Sequence, residues 1–295
     1  MNGLSDHAKG LAITGMGVLV LSPDALLLRL LTVDAWTTVF WRGLLMFLAM
    51  TVALAAWHRG RAWRPFRAVG RWGLLSSVFH GISATGFVYS IHSTEVAHTL
   101  VIIAATPLFA AVISRIFLHE RVAPETWIAT VLVIAGIALV VAESLGRGTL
   151  AGDLAAFVVV LAQGANFTTL RYRKNINMVP ATALGGLWSA LAVLVLGLAA
   201  PASLSGPDIP IMALLGLVVV PLAFGLITIG PRYITAPEVG LLFLVETILG
   251  PLWVWLVLGE AVGLLALIGG AMVLSTLAVY FTLRLRRQAR RAVAA

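Results

Sequence analysis

Hydrophobic residues run along this chain in blocks of about twenty, separated by short polar stretches that carry most of the arginines and many of the prolines. A helix needs roughly 20 mostly apolar residues to cross the hydrocarbon of a bilayer. That ruler predicts helices near 9–31, 35–57, 71–91, 95–118, 125–143, 150–171, 180–200, 210–231, 237–258 and 262–284. The breaks hold turn formers: Pro65, Pro124, Gly146 with Gly148, Pro180, Pro201 with Pro207, and Pro237. No connection is long enough for a soluble domain. The expected fold is an all-α integral membrane protein of ten transmembrane helices.

Composition supports this reading. The hydrophobic fraction is 60% and the charged fraction 11%, against about 45–50% and about 25% in soluble domains. A water-soluble fold of 295 residues could not bury so much apolar surface, so the surplus must face lipid. The net charge of +8 would suggest nucleic acid in a soluble protein, but here the basic residues cluster between helices and in the C-terminal tail. That clustering fits membrane orientation and gives no nucleic-acid surface. There are no cysteines, so thiolate chemistry and disulfides are excluded. The N-terminus lacks the basic run, short apolar core and small-residue cleavage site of a removable signal peptide. Arg outnumbers Lys by 18 to 2, a bias that points to a GC-rich bacterial genome.

Orientation follows from the basic residues. With the N-terminus inside, the inner ends hold Lys9; Arg59, Arg61, Arg64, Arg67, Arg71; Arg115, Arg121; Arg171, Arg173, Lys174; Arg232; and Arg284, Arg286, Arg287, Arg290, Arg291. That is 17 inside; the outer ends hold only Arg29 and Arg147, and Arg42 lies within a span. Both termini are expected in the cytoplasm of a bacterial cell, with the chain in the inner membrane.

The two halves repeat. Gly10 pairs with Gly152, Asp24 with Asn166 and Arg29 with Arg171 at a constant offset of 142, and Glu120 pairs with Glu260 at 140. Five helices per copy is an odd number, so the second copy must enter from the opposite side. The expected units are 1–147 and 148–295, inverted repeats around a central cavity. Transporters of this design bind substrate near the midplane, at the repeat interface.

Particular residues resemble a known family. Thr106-Pro107-Leu108-Phe109 through Leu118-His119-Glu120-Arg121 is similar to a helix end of the drug/metabolite transporter superfamily, and Glu246 through Leu258-Gly259-Glu260 resembles its second copy. Arg42 in Trp41-Arg42-Gly43-Leu44-Leu45 resembles that family's second-helix arginine, and Gly164-Ala165-Asn166-Phe167 its sixth-helix motif. Within the superfamily the chain resembles the EamA-type ten-helix exporters, in particular the YddG-like aromatic amino-acid exporters. One departure is Glu246-Thr247, where that family often has Glu-Pro. The resemblance implies a secondary exporter of small metabolites working by alternating access, with aromatic or other hydrophobic amino acids as substrates.

Polar groups inside a span cost about 2.5–3.5 kcal/mol for a central charge on insertion scales, so each asks for a reason. Counted from the helix ends, His80, Gln163 and Glu246 fall near the midplane, with Trp188, Phe224, Pro107 and Pro221 at similar depth. His80 shares a helix face with Ser76, Ser83, Ala84 and Phe87. It could meet substrate, carry a proton, or simply hydrogen-bond within the bundle. Gln163 and Asn166 are three residues apart and can both face inward, toward substrate or toward a neighbouring helix. Asp24 and Arg42 lie level on adjacent helices, which suits an ion pair, either architectural or part of a gate. Glu246 suits proton coupling, or packing beside a helix break. The expected substrate-binding set is His80, Ser83, Gln163, Asn166, Trp188 and Phe224, with Asp24, Arg42 and Glu246 in gating or coupling.

Other classes find little support. No Gly-x-Ser-x-Gly, Gly-x-Gly-Asp or His-Glu-x-x-His occurs, since His119-Glu120 runs into Arg121-Val122-Ala123. Lys9 and Lys174 stand outside any phosphate-loop pattern. An intramembrane enzyme is therefore the weaker alternative, beside an exporter of another metabolite or drug class. No catalytic residue, cofactor, metal or obligate protein partner is expected; the partners implied are a small-molecule substrate and the lipid bilayer.

Overall fold

Among the described residues every regular element is helical. The structure, a computed structural model, describes residues 6–59, 63–118, 124–144, 149–260 and 262–293. The α-helices are α1 (Asp6–Leu21), α2 (Asp24–Leu30), α3 (Ala35–Trp57), α4 (Trp63–Ala68), α5 (Gly70–Ser93), α6 (Val96–Ile103), α7 (Thr106–Leu118) and α8 (Pro124–Ser144), followed by α9 (Leu150–Tyr172), α10 (Val179–Val195), α11 (Asp208–Leu214), α12 (Val220–Ile229), α13 (Ala236–Leu242), α14 (Leu244–Leu258) and α15 (Leu264–Val293).

Among the described residues, seven helical segments are long and apolar enough to cross a membrane: Asp6–Leu30, Ala35–Trp57, Gly70–Ser93, Val96–Phe117, Leu150–Tyr172, Asp208–Arg232 and Glu238–Leu258. Three further apolar stretches, Val131–Ala142, Val179–Val195 and Leu264–Tyr280, are shorter. They fall on the remaining spans expected from the sequence. The expected 180–200 span ends early because Gly197 turns left-handed at φ +67°. Leu198 and Ala199 then both donate to the Val193 carbonyl, at 3.0 and 3.2 Å, a helix stop that apolar content does not reveal. Glu120, Arg121, Arg147 and the expected boundary between 147 and 148 lie outside the described residues.

Several spans are interrupted, and proline explains most of the interruptions. It has no N–H to give and clashes with the preceding turn. The first span divides at Ser22–Pro23 into α1 and α2, continuing because Leu27 donates to the Pro23 carbonyl at 2.9 Å. Upstream of Pro107 the helix breaks at Ala104–Ala105 between α6 and α7. A π turn over Leu215–Val219 precedes Pro221. Between α13 and α14 a single residue, Phe243, interrupts the helix, and Pro251 lies inside α14.

Small residues set the closest helix contacts, as expected where no solvent drives helices together. On α3 and α10, Gly43 and Gly186 face each other: a β-carbon on Gly186 would lie 2.7 Å from the Gly43 carbonyl oxygen. α5 packs on α9 and α10, α1 on α12, α7 on α9 and α8 on α15. Large apolar side chains, Leu19, Val52, Trp57, Ile128, Val195 and Leu264 among them, are left exposed on the outside of the bundle.

Polar contacts fasten the helix ends. At one end Thr32 holds the Asp208 carboxylate through its N–H (3.1 Å) and hydroxyl (2.7 Å), and Trp41 Nε1 donates to the Pro201 carbonyl at 3.1 Å. Asp34 caps α3 by accepting the Trp36 and Thr37 N–H groups at 2.9 and 3.0 Å. Partial burial works to raise the Asp34 pKa, but the Thr37 and Trp36 donors outweigh it and hold the carboxyl below its usual range. At the other end His7 Nε2 lies 3.1 Å from Glu238 Oε1, while Thr235 and Glu238 form the reciprocal capping box of α13.

Candidate functional site

Where the interrupted helices meet, a small cavity lies at the centre of the bundle. It is lined by Leu21 and Asp24 from the first span, Arg42 from α3, and His80, Ser83, Ala84 and Phe87 from α5. Ile103 and Thr106 come from the α6–α7 break, Val159, Gln163 and Phe167 from α9, Phe224 from α12, and Phe243 and Glu246 from the α13–α14 break. It holds about 40 Å³, room for roughly three waters at about 10–15 Å³ each.

The charges sit at one side of this space. Arg42 Nη2 donates to Asp24 Oδ2 at 2.6 Å, with side-chain exposures of 4% and 1%. The break at Ser22–Pro23 starts α2 at Asp24, which turns the carboxylate toward α3. Arg42 also lies with its guanidinium carbon 5.9 Å from the Phe87 ring centre, within cation–π range. Glu246 stands in the first turn of α14, where the helix dipole favours an acidic side chain.

Neutral groups complete the lining. Ser83 Oγ donates to Gln163 Oε1 at 2.9 Å and so joins α5 to α9. His80 packs edge-on against Phe224, with ring centres 4.8 Å apart. Room for its ring comes from Gly185 on α10, where a β-carbon would come within 2.8 Å of His80 Cδ2. Thr106 Oγ1 donates to the Ile103 carbonyl at 2.6 Å, across the α6–α7 break.

Three buried atoms in this set have no hydrogen-bond partner among the described residues: Asp24 Oδ1, Arg42 Nε and His80 Nε2. Buried polar groups are nearly always paired, and those that are not need a physical reason. An acceptor, a donor and an imidazole nitrogen around one cavity give it unused hydrogen-bonding capacity of both signs.

The structure brings seven of the nine expected residues to this cavity: Asp24, Arg42, His80, Ser83, Gln163, Phe224 and Glu246. Asn166 and Trp188 do not line it. Asn166 is buried, but its amide oxygen accepts from Ser76 Oγ at 2.6 Å. Three residues from Gln163, it points between α5 and α9, whereas Phe167, at the i+4 position, faces the cavity. Trp188 is 42% exposed and donates from Nε1 to Ser77 Oγ at 3.0 Å. Gly185 and Ser189 hold the inward face of α10, so Trp188 turns outward.

Leu21, Ile103, Thr106, Val159, Phe167 and Phe243 are lining residues that depth counting overlooks. One signal was available for Thr106, which lies 140 positions before Glu246, the offset that relates Glu120 to Glu260. For the two phenylalanines, a ring in an apolar span looks the same whether it faces lipid or cavity.

Residues 13–142 match the model of the EamA-like transporter family. The first half of the chain is similar to an EamA-like transporter domain. The matched stretch contains both residues of the Asp24–Arg42 pair and the α6–α7 break. No curated protein matches the chain. A solved structure described only as "Crystal structure of protein" matches this chain at TM-score 0.70 with 18% sequence identity, covering 95% of this chain and 99% of that one. At that identity the likeness shows the fold alone.

Proposed function

We propose that this chain is a bacterial inner-membrane secondary transporter that exports small metabolites, amino acids with aromatic or other hydrophobic side chains foremost, by alternating access. The observation that carries the reading is the cavity, with its unused polar atoms of both signs beside a cluster of rings. A molecule with a carboxylate, an ammonium group and an apolar body matches that lining. Its carboxylate would meet Arg42 and its ammonium group Asp24 or Glu246. Its side chain would lie among Phe87, Phe167, Phe224 and Phe243. The resemblance to YddG-like exporters favours the same substrates.

Alternating access is supported by size and by the breaks. A cavity with space for about three waters is smaller than an amino acid, so the interrupted helices must part to admit one. Helix interruptions at a midplane site are how inverted-repeat transporters shape such cavities. Ten spans in inverted units 1–147 and 148–295 are supported by helix pairings that exchange under the repeat. α1 packs on α12 as α9 packs on α5, and α3 pairs with α10 as α8 pairs with α15. Arg29 and Arg171, related by the repeat offset, do the same job at opposite ends. Arg29 donates to the Ile91 carbonyl at 2.8 Å, and Arg171 to the Pro231 and Ile234 carbonyls at 3.1 and 3.2 Å.

Uptake into proteoliposomes of the purified chain tests this directly, with labelled amino acids screened with and without a pH gradient. Saturable uptake of phenylalanine, tyrosine, tryptophan or leucine, with mutual competition, is the expected result. Uptake no greater than in protein-free liposomes for every amino acid would overturn the substrate class.

A further inference from the structure

Two rings and two guanidiniums form a ladder that joins the start of α5 to the end of α9. The rings of Trp72 and Tyr172 meet edge-on between the two helices, with centres 5.0 Å apart. Arg71 holds its guanidinium carbon 5.6 Å from the Trp72 ring centre, and Arg173 holds its own 5.8 Å from that of Tyr172. Both distances are within cation–π range. The sequence sets an arginine beside an aromatic residue on each helix. The packing of α5 on α9 then brings the two pairs together at one end of the bundle.

The helices account for only part of this charge. Arg173 caps the end of α9, where the helix dipole favours a cation. Arg71 stands in the first turn of α5, where the dipole opposes one. Among the described residues neither guanidinium has a hydrogen-bond or ion-pair partner. A ring beneath a guanidinium leaves its N–H fork for an acceptor, and that fork matches the oxygens of a phosphate. Both arginines are exposed, Trp72 is half-buried and Tyr172 is 51% exposed. The surface beside the ladder is apolar: Leu74, Leu75 and Val78, within the next two turns of α5, are all exposed. An anion that suits this place has a charged head for the arginines and an apolar body for the leucines.

We propose that Arg71, Trp72, Tyr172 and Arg173 form a headgroup site for an anionic phospholipid. Its phosphate accepts from the two guanidiniums, the rings lie at headgroup level as interfacial aromatics do, and an acyl chain runs along Leu74, Leu75 and Val78. On the proposed orientation this is the cytoplasmic leaflet, whose anionic lipids attract basic residues at the ends of spans. The bound lipid braces α5 against α9, the helices that Ser83 and Gln163 join at the central cavity. The site rests on the membrane reading of the chain, and amino-acid transport has no part in it.

Native mass spectrometry of the full chain, released from detergent holding equal amounts of phosphatidylglycerol and phosphatidylethanolamine, tests the site. The parent chain should retain phosphatidylglycerol severalfold over phosphatidylethanolamine. Arg71→Gln with Arg173→Gln should bring the ratio close to one. Arg290→Gln with Arg291→Gln, which removes the same charge from the C-terminal tail, should leave it unchanged. Trp72→Leu with Tyr172→Leu keeps both charges, and it should lower the ratio because the guanidiniums lose their platform. Equal unfolding midpoints of the parent and both arginine variants in lipid-free detergent show that the loss is one of binding. A preference that survives in the Arg71 and Arg173 variant, or falls equally in the tail variant, would overturn the site. An unchanged ratio in the ring variant would overturn the ladder and leave only bulk charge. No substrate is present in these measurements, so failed amino-acid uptake leaves the lipid site standing, and a missing lipid preference leaves the transport reading standing.

Discussion

Arg42 reaches Asp24 at 2.6 Å across the gap between α3 and the broken first span, with both side chains almost fully buried. Removing one member of such a pair leaves an uncompensated buried charge, which costs about 3–5 kcal/mol in soluble proteins. Asp24→Asn and Arg42→Gln should each lower thermal stability and folded yield sharply. The double variant should recover part of the loss, because neither charge is then stranded. A double variant no better than the sum of the singles, by thermal unfolding in one detergent, would show that the two side chains act independently.

Glu246 faces the central cavity from the first turn of α14. Glu246→Gln keeps its shape and hydrogen bonding but cannot release a proton. If this carboxyl couples protons to transport, the variant should lose accumulation of amino acid against a gradient and keep exchange of labelled for unlabelled substrate. Equal loss of both, measured in the same proteoliposomes, would assign Glu246 to binding or folding instead.

Cysteine substitutions separate the lining residues from their neighbours on a cysteine-free background. Cysteines at Ser83 and Gln163 should react with a water-borne thiol reagent and be protected by substrate. Cysteine at Asn166, held between α5 and α9 by Ser76, should react little. Trp188→Phe should keep transport, since that ring lies outside the cavity. Substrate protection at 166 but not at 83 would place the binding region elsewhere.

The α3–α10 contact predicts a steric cost. Gly186→Ala would set a methyl group about as close as a hydrogen bond to the Gly43 carbonyl oxygen, and α3 would have to shift. Overpacking of this kind costs typically about 1–3 kcal/mol. Gly15→Ala is the control, because a β-carbon there meets nothing within 4 Å. A Gly186→Ala unfolding midpoint equal to that of the control would mean the helices are looser than this.

Charge asymmetry predicts sidedness. A reporter fused after Lys174 should read cytoplasmic and one fused after Gly206 periplasmic, because α10 crosses between them. The same side for both would exclude α10 as a span.

The sequence alone determined the class of the molecule and much of the content of its site. Apolar runs of about twenty residues can be satisfied only in lipid, and buried charges in such runs are costly enough to stand out. Asp24, Arg42, His80, Gln163 and Glu246 were therefore legible in the sequence, and depth counted at 1.5 Å per residue set Asp24 level with Arg42 and put the other three near the midplane. Depth leaves the angle around each helix open, and only tertiary packing decided that. Gln163 and Asn166 both accept from hydroxyls of α5, those of Ser83 and Ser76, yet only Gln163 also borders the cavity. Trp188 has the right depth and the wrong face, because Gly185 takes the position beside His80 and the indole turns out to Ser77. The end of α10 at Gly197 was equally hidden, since it depends on one left-handed residue in an apolar stretch.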